Sequence, residues 1–193
     1  MDVFYITGAS SGIGEAIAEL LLENTNNMVI GIARSRTIQH DRYQHHYIDL
    51  SQPWTDKIFK PNSFNANKVV LINNAGSIGP IKPLNLHEEK DIFENYFLNS
   101  SAPTILCNQF ISCFEKSKSV CIVLNISSGA GKHPIHSWST YCASKAALDM
   151  LSQVLQLEYP KFKIYSIAPG IVDTAMQEQI RGADKTNFPE VDR

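Results

Sequence analysis

A chain of 193 residues, 44% hydrophobic and 19% charged, is long enough for one well-buried core and reads as a single domain over residues 1–193. Its formal net charge of −2, without a run of basic residues, offers no footprint for nucleic acid or an anionic membrane. No apolar stretch approaches the ~20 residues of a membrane span, and MDVFYITGAS lacks the basic and small-residue regions of a signal peptide, so a cytoplasmic protein is expected. Cys107, Cys113, Cys121 and Cys142 contain no CxxC pair and fall in apolar stretches, which predicts reduced, buried thiols and no metal site.

Short β-branched or apolar runs alternate with segments of helical period, the pattern of an α/β fold with a doubly wound, mostly parallel sheet. Val3–Thr7 opens as a strand, and a helix follows with Ile13, Ile17, Leu20 and Leu21 on one face, ending at the turn NTNN. Met28–Ile32, His46–Ile48, Val69–Ile72, Val120–Ile126 and Phe162–Ile167 supply five more strands, apolar enough for burial on both faces. A long helix from about 87 to 116 carries Pro103 in its interior, where the missing N–H cannot pair with the Asn99 carbonyl, predicting a kink there. The helix from about 139 to 158 takes Ser139 or Thr140 as N-cap. Its predicted packing stripe is Ala143, Ala147, Met150, Leu151, Val154 and Leu155.

Chemistry concentrates at the carboxyl ends of these strands. Thr7-Gly8-Ala9-Ser10-Ser11-Gly12-Ile13-Gly14 joins the first strand to the first helix, so its glycines sit where backbone turns tightly against a ligand and the helix N–H groups face a pyrophosphate. The spacing is G-x-x-x-G-x-G rather than G-x-G-x-x-G. At the end of the second strand, Ile32-Ala33-Arg34-Ser35 carries no carboxylate to hold a ribose 2′-OH. Arg34, helped by Ser10 and Ser35 and with Arg36 as a second candidate, suits a 2′-phosphate instead and points to NADP(H).

In Tyr141-Cys142-Ala143-Ser144-Lys145 the spacing of four sets phenol and ammonium on one helical face, where the cation is expected to lower the phenol pKa toward the range useful for acid–base work. Asn125-Ile126-Ser127-Ser128-Gly129 ends the fifth strand, where a hydroxyl can polarise a substrate carbonyl.

Together these segments resemble the short-chain dehydrogenase/reductase family from Thr7 to about Arg181. The motif TGxxxGxG stands as Gly8, Gly12 and Gly14, NNAG as Asn73-Asn74-Ala75-Gly76, YxxxK as Tyr141 and Lys145, and PG with a following Thr as Pro169-Gly170 and Thr174. SSGAGKHPIHSWSTYCASKAAL and APGIVDTAMQEQIR are similar to the sepiapterin reductase and benzil reductase branch.

The resemblance implies a Rossmann-like sheet in the order 3-2-1-4-5-6. It also implies a seventh strand that this chain is expected to lack, leaving the sixth at an exposed edge. It selects Ser128 as the catalytic serine and Asn99 as the fourth member of the catalytic set with Tyr141 and Lys145. The Asn99 carbonyl, unpaired because of Pro103, is expected to bind a water on a proton path from Tyr141 through the ribose and Lys145.

Asp49-Leu50 is similar to the family's adenine contact, Asn74, Ala75 and Gly76 to its cofactor wall, and Ile171 to Thr174, with Val172, to its carboxamide contact. Trp138, His133, His136 and Met176 are candidates for an aromatic substrate wall. The implied activity is reduction of a small carbonyl substrate by NADPH in a homodimer or homotetramer joined through the two long helices. The alternatives are a non-catalytic NADP(H)-binding regulatory or scaffold protein, which the intact Ser128, Tyr141 and Lys145 disfavour, and a nucleotide-sugar epimerase or dehydratase, which chain length disfavours.

Overall fold

The computed structural model describes residues 1–60, 65–184 and 186–188. Six strands, β1 (Asp2–Thr7), β2 (Asn27–Ala33), β3 (Tyr43–Tyr47), β4 (Lys68–Asn73), β5 (Val120–Ile126) and β6 (Lys163–Ile167), form one sheet in the order β3-β2-β1-β4-β5-β6. Every pairing is parallel, with Phe4 opposite Val29, Val3 opposite Val69 and Val123 opposite Ile164. The helices are α1 (Gly12–Leu22), α2 (Glu89–Tyr96), α3 (Ala102–Phe114), α4 (Ser139–Glu158) and α5 (Ala175–Arg181). No described helix is long and apolar enough to cross a membrane.

The two-residue period of the strands divides the core. Val3 and Tyr5 point to one face, where they pack with Phe59, Phe110, Phe114 and Phe162, while Phe4 and Ile6 point to the other and meet Ala18, Leu22, Val29 and Tyr43. Between β4 and β5 a polar seam crosses this core. Asn73 Nδ2 donates to Asn125 Oδ1 (2.8 Å), and Asn125 Nδ2 donates to Ser152 Oγ on α4 (2.8 Å). All four cysteines are free, with Cys107 and Cys121 buried and Cys113 and Cys142 half-buried.

The predicted kink is present, as a π turn over Phe97–Ser101 that separates α2 from α3. Other elements depart from expectation. β3 spans Tyr43–Tyr47 rather than His46–Ile48; it is an edge strand, so polar residues are tolerated where a buried apolar run was sought. On α1 the buried residues are Gly14, Ala18 and Leu22, with Leu20 largely exposed.

α4 is capped by Trp138, and its buried face is Thr140, Tyr141, Ser144, Lys145, Leu148 and Ser152; Met150 and Val154 of the predicted stripe are exposed. Small and polar side chains occupy the sheet side of α4 because that side carries the candidate site. β6 likewise exposes four of its five residues, being the last strand of the described sheet.

Phe110 is fully buried and its ring contacts those of Phe59, Phe114 and Phe162. Phe110→Ala is expected to cost about 3–5 kcal/mol, read as a lowered urea midpoint; an unchanged midpoint would contradict this packing.

Candidate active site

The turn after β1 is shaped by backbone requirements. Gly8 has φ 66° and Gly12 φ 54°, the left-handed region that glycine enters without penalty. A Cβ on Gly14 would lie 2.3 Å from the Gly8 carbonyl oxygen and 2.4 Å from Asn74 Nδ2, so only glycine lets α1 start this close to the turn. Ser11 caps α1 without a side-chain hydrogen bond, which leaves the first-turn N–H groups available to an anion.

Thr7 ties this turn to the end of β4. Its hydroxyl oxygen accepts from the N–H groups of Asn74 and Ala75, both at 2.9 Å, and Asn74 Nδ2 donates back to the Thr7 carbonyl at 3.0 Å. This clamp between the strands where chain order reverses is a contact that sequence reasoning missed; its trace is the Thr preceding Gly8.

At the other end, Arg34 is exposed at the tip of β2 and lines the same cleft as Asp49, Leu50 and Ser51. Hydrogen bonds from Ser51 N (2.9 Å) and Oγ (2.7 Å) hold the Asp49 carboxyl below its usual range, and the Arg34 guanidinium adds to the effect. Arg36 is committed elsewhere: its Nε donates to the Ile38 carbonyl at 2.9 Å and its guanidinium lies over the Tyr43 ring.

The reactive end is assembled on α4 and the end of β5. Lys145 is 4% exposed and its Nζ donates to the Ile126 carbonyl at 2.8 Å. Burial pushes its ammonium down to about 8, against the opposing pull of Asp149 one turn on. Tyr141 is buried, with Lys145 Nζ 5.6 Å from its ring centroid. The phenol pKa is raised, not lowered as expected, because burial outweighs the influence of the Ser128 hydroxyl, which favours the phenolate. Ser128 Oγ also accepts from Ala130 N at 3.2 Å, which fixes the serine at the head of the Gly129–Gly131 turn.

These groups face one cleft of about 900 Å³. It is lined by Gly8, Ser10, Ser11, Gly12, Ile13, Arg34, Asp49, Leu50, Asn74, Ala75 and Gly76 on the β1, β2 and β4 side, and by Ser128, Tyr141, Lys145, Pro169, Gly170, Val172 and Thr174 on the other. Gly14, Ser35 and Asn99 are off its wall. Gly14 lies behind the turn, and Asn99 sits behind Gly76, where a Cβ would come 3.0 Å from Asn99 Oδ1 and 3.5 Å from Lys145 Nζ.

Asn99 Oδ1 accepts from Ser77 N (3.0 Å) and its Nδ2 donates to the Ser77 carbonyl (2.8 Å), so its amide braces the loop after NNAG. Ser77 and Asn95, which shares this network, carry no motif signal in the sequence. Trp138 and Met176 reach the cleft, whereas His133 and His136 are exposed and off its wall.

The model of the short chain dehydrogenase family matches residues 65–185. The chain belongs to that family. It is 38% identical to a benzil reductase ((S)-benzoin forming) of Bacillus cereus over all of this chain and 84% of that protein, and 30% identical to the sepiapterin reductase of Rattus norvegicus over 93% and 77%. The crystal structure of a short-chain dehydrogenase/reductase from Burkholderia vietnamiensis superposes with a TM-score of 0.77 at 28% identity, covering 95% of this chain and 93% of that one. The family consists of oxidoreductases that bind nicotinamide dinucleotides. The glycine turn, the exposed Arg34 and the cleft running from it to Tyr141 fit such a group.

The lysine makes a pH prediction with a definite sign. Its folded-state value of about 8 lies below the ordinary 10.5, so across that window the unfolded chain holds a proton that the folded chain has released, and stability rises with pH. Lys145→Met is expected to be the more stable protein at neutral pH, with its advantage shrinking above about pH 8. Urea unfolding of both proteins across this range checks it, and a difference independent of pH would contradict it.

Proposed function

We propose that the chain is an NADPH-dependent carbonyl reductase acting on ketones or diketones. The observation that carries this reading is the convergence of Ser128, Tyr141 and Lys145 in the cleft that has Arg34 at its far end. The 38% identity to a protein named benzil reductase supports a dicarbonyl substrate.

Bound NADPH supplies the hydride for the carbonyl carbon. The chain's own residues handle the oxygen. Ser128 Oγ and the Tyr141 phenol face the same cleft, a placement from which both can bind one carbonyl oxygen. Because burial raises the Tyr141 pKa, the phenol keeps its proton at neutral pH and acts as a donor rather than a base. Lys145, charged below about pH 8 and close to the ring, stabilises the phenolate that donation leaves behind. Asn99 holds the Ser77 loop behind Lys145, and its carbonyl is assigned the water that returns a proton to this site.

Arg34, with Ser10, binds the 2′-phosphate, and the absence of an acidic side chain in Ile32-Ala33-Arg34-Ser35 favours NADPH over NADH. A cytoplasmic location suits the four free thiols. Homodimer or tetramer assembly would cover the outward face of α2 and α4, where Phe93, Met150 and Leu157 are exposed.

Tyr141→Phe is expected to lower diketone turnover by about 10²- to 10⁴-fold while calorimetric NADPH binding persists. Undiminished turnover would remove Tyr141 from the role, and a parent protein that binds NADPH but reduces no carbonyl would favour the regulatory alternative. Arg34→Ala is expected to weaken NADPH binding by about tenfold or more and leave NADH binding little changed. Equal losses for the two dinucleotides would overturn the 2′-phosphate assignment.

A further inference from the structure

The end of β2, from which Arg34 projects, is held by a side chain of the edge strand β3. His45 Nε2 lies 3.1 Å from the carbonyl oxygen of Ala33, the residue before Arg34, and His45 Nδ1 lies 3.0 Å from the Tyr43 hydroxyl. A carbonyl only accepts, so Nε2 carries the proton of the neutral ring and Nδ1 accepts from the phenol. Tyr43 keeps its own proton, because burial raises its pKa. The Ala33 carbonyl also accepts from the Ile48 backbone N–H at 3.2 Å, so the last residue of β2 is bonded both by β3 and by the residue after it.

Alternation along β3 puts Tyr43, His45 and Tyr47 on one face, where the imidazole meets the Tyr47 ring edge-on at 4.6 Å and lies 5.9 Å from the Tyr43 ring. The Tyr43 hydroxyl reaches His45 over Gly31, where a Cβ would collide with it. Arg36 covers the Tyr43 ring from the loop after β2, with its guanidinium 5.5 Å from the centroid. The titratable and charged groups around this imidazole are thus the Tyr43 and Tyr47 phenols, Arg36, His46 and, acting on the Tyr43 phenol, Glu15 of α1. Burial, opposed by the Ala33 carbonyl and aided by Arg36 and His46, holds the His45 pKa below the ordinary histidine value. In the free protein at neutral pH the ring is therefore neutral.

We propose that His45 is a positioning residue for the dinucleotide 2′-phosphate, holding the base of Arg34 and taking up a proton from solvent when that phosphate docks. The proton adds at Nδ1. The hydrogen bond to Tyr43 then reverses, with Nδ1–H donating to the phenol oxygen, so no heavy atom has to move and Nε2 keeps its bond to the Ala33 carbonyl. A phosphate brings about two negative charges to the residue next to the one His45 holds, and that charge favours the imidazolium. The complex that holds more protons gains as pH falls, so NADPH binding tightens toward lower pH. NADH has no 2′-phosphate and lacks the effect. His46 points to the opposite face of β3, where Lys60 and Asp56 act on it, and serves as an internal control.

This inference rests on the reading of Arg34 as the 2′-phosphate ligand, and the experiment separates the two. The imidazole signals of the full chain are followed by NMR from about pH 5 to about pH 9, in the free protein, with saturating NADH and with saturating NADPH. His45→Gln identifies the His45 signal. With NADPH, His45 is expected to titrate higher than with NADH by about half a pH unit or more, while His46 moves less. Calorimetry supplies a second readout, because Gln keeps a donor for the Ala33 carbonyl and an acceptor for the phenol but does not titrate. Between about pH 8 and about pH 6 the NADPH-to-NADH affinity ratio is expected to gain about three- to tenfold more in the parent than in His45→Gln. Protonation of the phosphate itself affects both proteins alike and cancels in that comparison.

If His45→Gln does not fold, the titration of the parent decides, with the His45 signal assigned through its contact with the Tyr47 ring. A His45 that titrates at the same pH with either dinucleotide overturns the proposal, as does an equal pH dependence in the parent and His45→Gln. When that happens in a protein whose NADPH preference is lost in Arg34→Ala, this inference fails alone. A parent that binds NADPH no more tightly than NADH, or keeps its preference in Arg34→Ala, overturns the 2′-phosphate reading and this inference with it.

Discussion

An ammonium group buried to 4% exposure is the constraint around which this site is organised. Burying a charge is costly unless it is hydrogen-bonded, and the Ile126 carbonyl at the end of β5 meets that need. That contact ties α4 to the end of β5. Tyr141 then falls one turn earlier on the same face, within reach of Ser128 just past the end of β5. Neighbouring contacts converge on the same turn of α4: Ser127 Oγ reaches the Lys145 carbonyl and Ser100 Oγ donates to the Ser144 carbonyl at 3.1 Å. Gly76 is small because Asn99 and Lys145 both occupy the space a side chain would need.

The proline in the long helix belongs to the same construction. Pro103 cannot donate to the preceding turn, and the helix answers with the π turn of Phe97–Ser101. Asn95 and Asn99 both bond Ser77, while the next residue, Ser100, bonds α4. A helical break that looks like a defect thus lets one short segment brace the loop behind the cleft and the helix that carries the phenol.

The two ends of the cleft use different physics. Around Arg34 the cleft is charged and solvent-exposed, lined by a long side chain. Around Tyr141 it is apolar and rigid, with the indole of Trp138 held by a strained serine and a buried phenylalanine.

Features set by local backbone rules were legible in the amino-acid sequence alone. The glycine turn, the Tyr141–Lys145 spacing and the Pro103 kink each follow from what neighbouring residues can do within one or two turns of chain, and alternating strands and helices imply a parallel sheet, whose order only the family resemblance supplied. Tertiary structure decided what depends on distant neighbours. Which face of α4 is buried is set by the site it serves, so its apolar stripe misled. Arg36 is taken by Tyr43 and the Ile38 carbonyl, leaving Arg34 at the cleft. The Tyr141 pKa rises because desolvation, a property of the whole surrounding shell, outweighs its local partners. Trp138 gains its place from Phe188, fifty residues away in the chain, a pairing that no spacing rule encodes because only the folded chain brings the two rings together.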